Sequence, residues 1–310
     1  MKGDCPQCGK REFYISYVEE NHPFQCYRKN KCGYKGNIYT LIFDQKKYEF
    51  LRNADDLKEY HPEKKLSQIE DIDDIKIDLS LEKFSYPIAF KRIEKHEYLE
   101  NRLFHSYHKY EIGVTTIDSK LGKDYVIFII SQDCQKVAYI GRHIKSKEYI
   151  ESVNETRRRQ GFKDILRYRN SNTDFSKILL GIDECNENTE TVIIVEGLFD
   201  KDRVDFLLEL DNQEKVKCCA TNGSIISNEQ IYLLQKKGIK NLIVLYEADV
   251  VDKIRDNVSY VSLFFESLLI GYVDENDPGD MNHNELTEIL LNLTPYSQFF
   301  ETKVKIRNFL

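Results

Sequence analysis

The sequence predicts a multi-domain α/β protein. It comprises a small β unit at the N-terminus, a mixed α+β unit rich in basic residues, and a C-terminal α/β unit on a parallel sheet. Two cysteine pairs occupy the first 32 residues, where the apolar runs are short. After residue 180, short runs of Val, Ile and Leu alternate with amphipathic segments, a pattern typical of buried parallel strands joined by helices. A chain of 310 residues can hold two or three such units.

Bulk composition favours an intracellular, cytoplasmic protein. Hydrophobic residues make up 41% of the chain and charged residues 31%, as in ordinary globular domains. No apolar run approaches the roughly 18 residues of a membrane helix, and the N-terminus lacks the apolar segment of a signal peptide. We therefore expect no membrane partner, and clustered cysteines favour metal over disulfides.

The spacing of apolar residues predicts the individual elements. Residues 88–104 have helical spacing, and residues 125–130 and 136–140 are predicted as paired strands around a polar turn. Further strands are predicted at 191–195, 216–220 and 241–246, and helices at 200–210, 228–237 and 282–293. These elements divide the chain into a ribbon (1–50), an acidic linker (51–80), a basic subdomain (81–180) and an α/β domain (181–310).

Charge is unevenly distributed along the chain, although its net value is −7. Residues 136–170 contain 10 Lys/Arg against 4 Asp/Glu, whereas residues 182–310 contain 12 against 24. A basic stretch beside an acidic one suits a phosphate-binding groove that faces carboxylates holding a divalent metal. Charge alone favours the simpler interpretation that both stretches are solvated surface, so the motifs must decide.

Two cysteine pairs have the spacing of a zinc ribbon. Cys5 and Cys8 are separated by two residues, Cys26 and Cys32 by five, and a glycine follows each pair. Such turns let paired thiolates reach one tetrahedral ion at about 2.3 Å. His22 is an alternative ligand, but four thiolates leave no open position and indicate structural zinc. Cys134, Cys185, Cys218 and Cys219 lack metal spacing and are expected to be packing residues.

Basic and aromatic residues beside the second cysteine pair suit contact with nucleic acid. Phosphates could be contacted by Arg28, Lys29, Lys31 and Lys35, and bases could stack on Tyr27 and Tyr34. Zinc ribbons also serve as protein-docking modules, so this pattern alone leaves both roles open.

Carboxylates follow the first strand of the C-terminal unit. Glu196 comes directly after residues 191–195, Gly197 permits a tight turn, and Asp200 is expected to cap the next helix. The carboxyl end of a strand in an α/β sheet is where functional groups gather.

Two further carboxylate groups follow later strands. Glu247 and Asp249 come after residues 241–246, and residues two apart on an extended segment share a face. Asp277 and Asp280 form the third group. Oxygen ligands from three segments suit Mg²⁺ or Mn²⁺, which stabilise the charge that develops during phosphoryl transfer.

Several segments, in order, resemble a zinc-ribbon DNA primase of the bacterial and bacteriophage type. Residues 195–200, 220–224, 245–249 and 277–278 look like successive motifs of its Toprim domain. The segments similar to its basic subdomain are residues 98–102, 110–113, 138–142, 167–171, 175–177 and 180–181. With the ribbon, the resemblance covers nearly the whole chain.

The resemblance implies synthesis of short RNA primers on single-stranded DNA by metal-dependent nucleotidyl transfer from ribonucleoside triphosphates. Glu196 would act with metal, or as a general base toward the attacking 3′-hydroxyl. The implied catalytic cluster also includes Asp200, Glu247, Asp249, Asp277 and Asp280, and the Mg²⁺ or Mn²⁺ ligands would be Glu196, Glu247 and Asp249. Nucleotide phosphates and the template–primer hybrid would be bound by Arg142, Arg167, Asn170 and Lys177, because a guanidinium fork suits phosphate. Residues 157–159, all arginine, either add phosphate attraction or form a solvated helix face.

The motifs also depart from the family pattern. Glu247 takes the first place of the Asp-x-Asp motif, Asp252 stands where glycine is usual, and Gly279 stands where a second acidic residue is common. An inactive or weakly active DNA-binding module is therefore a second hypothesis, and a Toprim nuclease is a third. No Gly-x-x-x-x-Gly-Lys-Ser/Thr loop is present, so a replicative helicase, if needed, is a separate protein. This arrangement fits a phage or mobile-element replication protein.

Overall fold

The structure is a computed structural model. It describes residues 2–3, 5, 8, 10–11, 13–15, 24–27, 32, 34–36, 77–115, 124–247, 255–273 and 278–296. Within these residues it contains three sheets, one of them largely parallel, and this confirms the mixed α/β fold. Predictions that involve His22, residues 28–31, 51–76, Asp249, Asp252 or Asp277 lie outside the described residues.

The N-terminal sheet has four short antiparallel strands in sequence order. They are β1 (Lys2–Gly3), β2 (Phe13–Ile15), β3 (Phe24–Cys26) and β4 (Lys35–Gly36). Phe13 and Phe24 pack with ring centroids 4.9 Å apart, next to the buried Cys5 and Cys26. So small an apolar cluster cannot by itself stabilise a domain, which makes a metal the natural second source of stability.

The second sheet has five antiparallel strands, also in sequence order. Its elements along the chain are β5 (Phe90–Arg92), α1 (Glu97–Asn101), β6 (Glu111–Thr115), β7 (Tyr125–Gln132), β8 (Gln135–His143), α2 (Lys147–Arg159) and β9 (Tyr168–Asn170). The helix predicted over residues 88–104 is wrong in length, because β5 takes part of that segment. Ala89 and Leu103 have positive φ angles of 58° and 53°, which no helix accommodates, so only the middle of the segment is helical.

A two-residue turn joins β7 to β8 and confirms the predicted strand pair. Asp133 and Cys134 have φ angles of 51° and 60°, the left-handed conformation of tight hairpin turns. Their backbone N–H groups donate to the Asp183 carboxylate at 2.9 and 3.1 Å. Cys134 is therefore an exposed turn residue, and its predicted packing role is wrong.

The third sheet carries the predicted parallel strands. The elements in chain order are β10 (Thr191–Val195), α3 (Leu198–Leu207), β11 (Val216–Ala220), α4 (Asn228–Lys236), β12 (Asn241–Glu247), α5 (Arg255–Val261), β13 (Ser267–Val273), α6 (His283–Leu291) and β14 (Thr294–Pro295). The spatial order is β11-β10-β12-β13-β14, with all pairs parallel except the last. The predicted strands and helices of this unit are confirmed with small shifts at their ends. Among the described helices, none is long and apolar enough to cross a membrane.

The two five-stranded sheets share one apolar core. Phe128 of β7 contacts Phe199 of α3 with ring centroids 5.8 Å apart, and Phe104 lies 5.4 Å from Phe128 and 5.9 Å from Phe199. Leu180, between the two sheets in sequence, pairs with Ala220 of β11 through two backbone hydrogen bonds of 3.0 Å. The basic and acidic segments are therefore packed against each other; the domain boundary at residue 180 stays a prediction.

Candidate functional site

The ribbon brings its four cysteine sulfurs into one cluster. The Sγ atoms of Cys5, Cys8, Cys26 and Cys32 all lie within 4.8 Å of one another. Cys5 and Cys32 are 3.7 Å apart at sulfur, and Cys8 and Cys26 are 3.9 Å apart. Two sulfurs on one tetrahedral zinc ion, each at about 2.3 Å, are about 3.8 Å apart. The arrangement fits a structural zinc ion with four thiolate ligands and no open position.

Backbone hydrogen bonds shape both cysteine loops. The N–H of Cys5 donates to the carbonyl of Lys10 at 2.9 Å, and the N–H of Cys26 donates to the carbonyl of Tyr34 at 2.7 Å. Hydrogen bonding to the backbone of Lys10 lowers the pKa of the Cys8 thiol to about 7. The thiolate form that binds metal is therefore accessible near neutral pH.

One face of the ribbon carries exposed aromatic and basic side chains. Tyr14 and Tyr27 are exposed and meet edge to face, with ring centroids 5.2 Å apart. Lys35 is also exposed, as predicted for a phosphate contact. Tyr34 differs from the prediction, because its ring packs at 4.9 Å on Phe24 in the ribbon core and is not free to stack bases.

The first acidic motif forms the turn from β10 into α3. Glu196 follows the last residue of the strand and is half-buried. Gly197, and not Asp200, is the cap residue: Asp200 lies in the first helical turn, where its carboxylate accepts the Gly197 N–H at 2.8 Å. A carboxylate in this place also interacts favourably with the helix dipole. Asp200 is therefore buried and fixed in orientation directly behind Glu196.

The second acidic motif ends at the same edge of the parallel sheet. Glu247 is the last residue of β12, the strand beside β10, so the backbone places it near Glu196. The buried hydroxyl of Tyr246 lies 3.3 Å from that of Thr221. Burial raises the pKa of Tyr246, and the nearby Glu196 carboxylate adds to the shift. Among the described residues, the cysteine cluster alone is a close group of three or more metal-binding side chains, so the predicted Mg²⁺ or Mn²⁺ site stays a prediction.

The third acidic motif is represented by Asp280, in a short 3-10 turn at Pro278–Asp280. The next residue, Met281, accepts a hydrogen bond at its carbonyl from Arg203 Nε of α3 at 2.6 Å, so the turn is held against the helix that contains Asp200. Asp280 is exposed, and its Oδ1 lies 3.5 Å from Nη2 of Arg102.

Arg142, near the end of β8, is buried, with an exposed fraction of 3%, which is uncommon for a charged side chain. Its Nε donates to the Tyr98 hydroxyl at 3.0 Å, and its guanidinium carbon lies 4.6 Å from the ring centroid of Tyr168 and 5.9 Å from that of Phe199. No hydrogen-bond partner in the described chain reaches its Nη1. A buried, unpartnered guanidinium N–H costs free energy unless a ligand supplies the acceptor.

One predicted binding residue, Asn170, lies on the neighbouring strand β9, and another, Arg167, directly precedes that strand. Tyr168 pairs with Arg142 across the strands, and Asn170 lies farther along, with a buried Oδ1 that has no partner among the described residues. Arg167 precedes β9 and is exposed; its carbonyl accepts the His143 N–H at 2.9 Å. Two of the unsatisfied buried polar atoms among the described residues, Arg142 Nη1 and Asn170 Oδ1, thus lie on these neighbouring strands.

Tyr168 connects the basic residues to the acidic edge. Burial raises the pKa of its hydroxyl; the cations of Arg142 and Arg167 oppose the shift, and the Asp200 carboxylate adds to it. Phe199, on which Arg142 packs, immediately precedes Asp200 in α3. The structure therefore brings Arg142, Arg167, Glu196 and Asp200 to one region.

Lys177 has a different environment from that predicted. Its Nζ donates to Asp78 Oδ2 at 3.0 Å and to the Ser80 carbonyl at 3.1 Å, at the end of the acidic linker. Leu79, between them, packs against the core of the parallel sheet. In this structure Lys177 therefore holds residues 78–80 against the protein. A nucleotide that bound Lys177 would have to displace the Asp78 carboxylate.

A buried ionic network joins the loop before β6 to helix α3. Lys201 of α3 is fully buried; its Nζ lies 2.6 Å from Glu184 Oε1 and also contacts Asp205. Lys109, before β6, contacts Glu184 and Asp205 at 2.7 Å each. Burial opposes the charge of Lys201, but the carboxylates of Asp205 and Glu184 outweigh it and raise the pKa well above that of an ordinary lysine. The network fixes α3, and hence Asp200, against the antiparallel sheet.

The sequence interpretation missed the residues that hold the site together. Tyr98, Tyr168 and Phe199 enclose Arg142, but aromatic residues at such positions usually indicate only a core. The sequence did indicate an ion pair for Lys201, because it stands four residues before Asp205 on a helix. The burial of that pair could not be predicted from the sequence. Arg102 lies in the segment 98–102 that resembles the basic subdomain of primases, but no ligand role was predicted for it.

The predicted basic helix α2 is only partly available to ligands. Arg158 is engaged by Asp164 at 2.7 Å and Glu151 at 2.9 Å, and Arg157 Nε donates to the Lys163 carbonyl at 2.8 Å. Arg159 is exposed. Arg157 and Arg158 therefore serve mainly to hold the loop after α2 in place at the protein surface.

Comparisons with known proteins find similarity at the level of three-dimensional structure. No protein-family model matches the chain, and no curated protein matches its sequence. The chain is similar to the zinc-binding and RNA polymerase domains of Aquifex aeolicus primase, with 15% identity and a TM-score of 0.48; the match covers 95% of this chain and 79% of that one.

A second similar structure is that of bacteriophage T7 lagging-strand DNA polymerase interacting with primase domains of two gp4 subunits bound to an RNA/DNA hybrid and dTTP. That match has 14% identity and a TM-score of 0.40, and it covers 69% of this chain and 93% of that one. Values this low transfer no residue role to this chain.

Proposed function

We propose that the protein is a DNA primase that joins ribonucleoside triphosphates into short RNA primers on single-stranded DNA. The observation that carries the proposal is the buried Arg142, whose Nη1 lacks a partner in the described chain and which packs on the residue next to Asp200. An unsatisfied guanidinium beside a carboxylate edge suits a substrate that carries phosphate and reacts with the help of a divalent cation. The resemblance of the motifs to those of primases supplies the reaction class.

In the proposed reaction the 3′-hydroxyl of one nucleotide attacks the α-phosphorus of the next triphosphate. The O3′–P bond forms, the bond between the α- and β-phosphates breaks, and pyrophosphate leaves. Glu196 accepts the hydroxyl proton directly or through a water, while Arg142 and Arg167 bind phosphate oxygens. The oxygens of Glu196, Glu247 and Asp249 would hold Mg²⁺ or Mn²⁺, and the bound ion would supply positive charge to stabilise the transferring phosphate.

The remaining predicted residues take supporting roles in this proposal. Asp200 orients the turn that carries Glu196, because its carboxylate is committed to the Gly197 N–H. Asp277 and Asp280 add negative charge at the metal side, and Asn170 offers its buried amide to the nucleotide. The ribbon would hold the DNA template through Tyr27, Lys35 and their neighbours.

A DNA-binding module with weak or absent catalysis is the second candidate. Asp78 holds Lys177, one of the four predicted phosphate-binding residues, and Glu247 and Asp252 depart from the primase pattern. Both features would leave DNA binding by the ribbon intact while they reduce nucleotidyl transfer.

A primer-synthesis assay separates these functions. The protein is incubated with single-stranded DNA, labelled ribonucleotides and Mg²⁺ or Mn²⁺, and the products are resolved on a gel. We expect short RNA products that disappear in Glu196→Gln and persist in the matched control Glu187→Gln, which removes an exposed carboxylate elsewhere. DNA binding without products under either metal would favour the binding module, and shortened DNA would indicate a nuclease.

A further inference from the structure

Thr221 follows β11 directly, in the segment 220–224 that contains none of the predicted site residues. Its side chain is buried, with an exposed fraction of 3%. The hydroxyl oxygen lies 3.2 Å from the carbonyl of Val195, within hydrogen-bond reach of the carbonyl of Gly223, and 3.3 Å from the hydroxyl of Tyr246. One side chain therefore contacts the ends of two strands, β10 and β12, and its own loop.

The hydrogen-bonding capacity of Thr221 fixes the direction of these contacts. Its hydroxyl has a single hydrogen, which goes to one of the two carbonyl oxygens because a carbonyl can only accept. Tyr246, with an exposed fraction of 1%, is then the donor to the oxygen of Thr221. Since a buried hydroxyl without a partner costs free energy, burial favours this chain of hydrogen bonds over any arrangement that breaks it.

The backbone of Thr221 is also held on both sides. Its N–H donates to the carbonyl of Val195 at 3.1 Å, and its carbonyl accepts from Nε2 of Gln230 in α4 at 3.1 Å. Gln230 is buried, and the same Nε2 donates to the carbonyl of Ile178 at 2.8 Å. Thr221 is therefore a fixed point between β10, β12 and α4.

We propose that Thr221 is a positioning residue, whose hydroxyl sets the separation of the first two acidic motifs. The residues that it contacts, Val195 and Tyr246, directly precede Glu196 and Glu247. Groups that support metal ligands from behind orient them, and loss of such a group lowers metal affinity. The inference rests on the proposed function in taking these two carboxylates as ligands of a divalent cation.

Removal of the hydroxyl should weaken Mn²⁺ binding. Thr221→Val keeps the shape of the side chain, and Tyr246→Phe removes the other end of the same contact. Each should lower Mn²⁺ affinity about tenfold, the lower end of the usual effect of a supporting group. Because both variants break one hydrogen bond, the double variant should lose less than the product of the two single losses. Thr221→Ser keeps the hydroxyl and should restore most of the affinity.

Thr189→Val is the matched control. Thr189 is also buried, and its hydroxyl donates to the carbonyl of Glu214 at 2.8 Å, near the opposite end of β10. The control therefore loses a buried hydrogen bond of the same kind away from the two carboxylates. Mn²⁺ binding to the zinc-loaded full chain is measured by titration calorimetry, and thermal midpoints show how far each variant is destabilised. Should Thr221→Val fail to fold, Tyr246→Phe tests the same hydrogen bond from its other end.

Glu196→Gln separates a failure of the inference from a failure of the proposed function. If Glu196→Gln loses Mn²⁺ binding while Thr221→Val binds as tightly as Thr189→Val, the metal site stands and the positioning role is overturned. A loss that Thr221→Ser does not restore overturns it as well, because packing and not the hydroxyl would then be responsible.

Two further results concern the proposed function itself. If Glu196→Gln binds Mn²⁺ as the wild type does, these carboxylates hold no metal, and the proposed function and the inference fail together. The expected losses of Mn²⁺ affinity in a protein that makes no primers would support the positioning role and reject the polymerase function.

Discussion

The zinc ribbon and the two-sheet core obtain their stability in different ways. Among its described residues, the ribbon has four buried side chains, those of Phe13, Phe24 and two cysteines of the metal cluster. In contrast, one apolar cluster of the core runs from Leu99 to Leu293 and includes residues of both five-stranded sheets. The ribbon therefore depends on ligand bonds and the core on packing. Because a four-cysteine zinc site has no open coordination position, the ribbon can bind DNA only through side chains on its surface. The core, in contrast, can offer a ligand buried polar atoms such as those of Arg142.

The largest expected effect follows from removing one zinc ligand. Cys26→Ser should abolish zinc binding and unfold the ribbon, because three thiolates and the buried rings of Phe13 and Phe24 are too few to hold the fold. The core should keep its melting midpoint, since its apolar cluster is independent of the metal. Zinc analysis, together with hydrogen exchange resolved by segment, measures both responses.

Cys134→Ser is the control for this change, because that thiol is exposed in the β7–β8 turn. Unchanged zinc content in Cys26→Ser would contradict the four-cysteine site. Loss of protection throughout the core would contradict the difference between the two regions.

The core should respond most strongly to loss of its buried lysine. Lys201→Met leaves the Glu184 and Asp205 carboxylates near each other with only Lys109 between them. Breaking a buried ion pair in this way typically lowers the free energy of unfolding by about 3–5 kcal/mol. Urea denaturation measures the change, with exposed Lys215→Met as the control. Equal midpoints for the two variants would show that the network contributes nothing to the core.

The pH dependence of this contribution has a definite sign. The pKa of Lys201 is raised in the folded protein, so its stabilising effect is complete below the ordinary lysine pKa of about 10.4 and is lost as pH rises through the raised value. The difference between wild type and Lys201→Met should therefore stay constant across neutral pH. A difference that shrinks between about pH 6 and 8 would assign the effect to another group.

These cases show what the sequence could and could not reveal. Cysteine spacing is a local property, so it predicted the ribbon ligands, and alternating apolar runs predicted the parallel strands because burial on both faces demands them. The helix predicted over residues 88–104 is wrong in length because the spacing of apolar residues does not reveal the positive φ angles of Ala89 and Leu103. Lys177 was predicted as a phosphate contact, and its pairing with Asp78 depends on a tertiary contact between residues 99 positions apart.

A smaller effect is expected within the arginine site. Tyr98→Phe removes the hydroxyl that accepts from Arg142 Nε at 3.0 Å but keeps the ring. Arg142 loses one restraint on its orientation, so nucleotide affinity should fall by a few-fold, corresponding to about 1 kcal/mol. Tyr149→Phe is the matched control on an exposed ring of α2. An unchanged affinity in Tyr98→Phe would mean that Arg142 is oriented by its aromatic neighbours alone.

The smallest effect concerns the contact between the linker and the core. Asp78→Asn weakens the pairing with Lys177 and the hydrogen bond from the Ser80 N–H, which measures 2.9 Å. Because these contacts lie near the protein surface, the unfolding midpoint should not change, but the backbone amide hydrogen of Ser80 should exchange with solvent faster.

The same contacts give this carboxylate a pH dependence. Hydrogen bonds from Ser80, assisted by Lys177, lower the pKa of Asp78 to about 2. Its contribution is therefore present above the unfolded carboxyl pKa of about 3.9 and is lost as pH falls through about 2. Protection of Ser80 that disappears well above pH 4 in the wild type would show that the carboxylate is not what holds the linker.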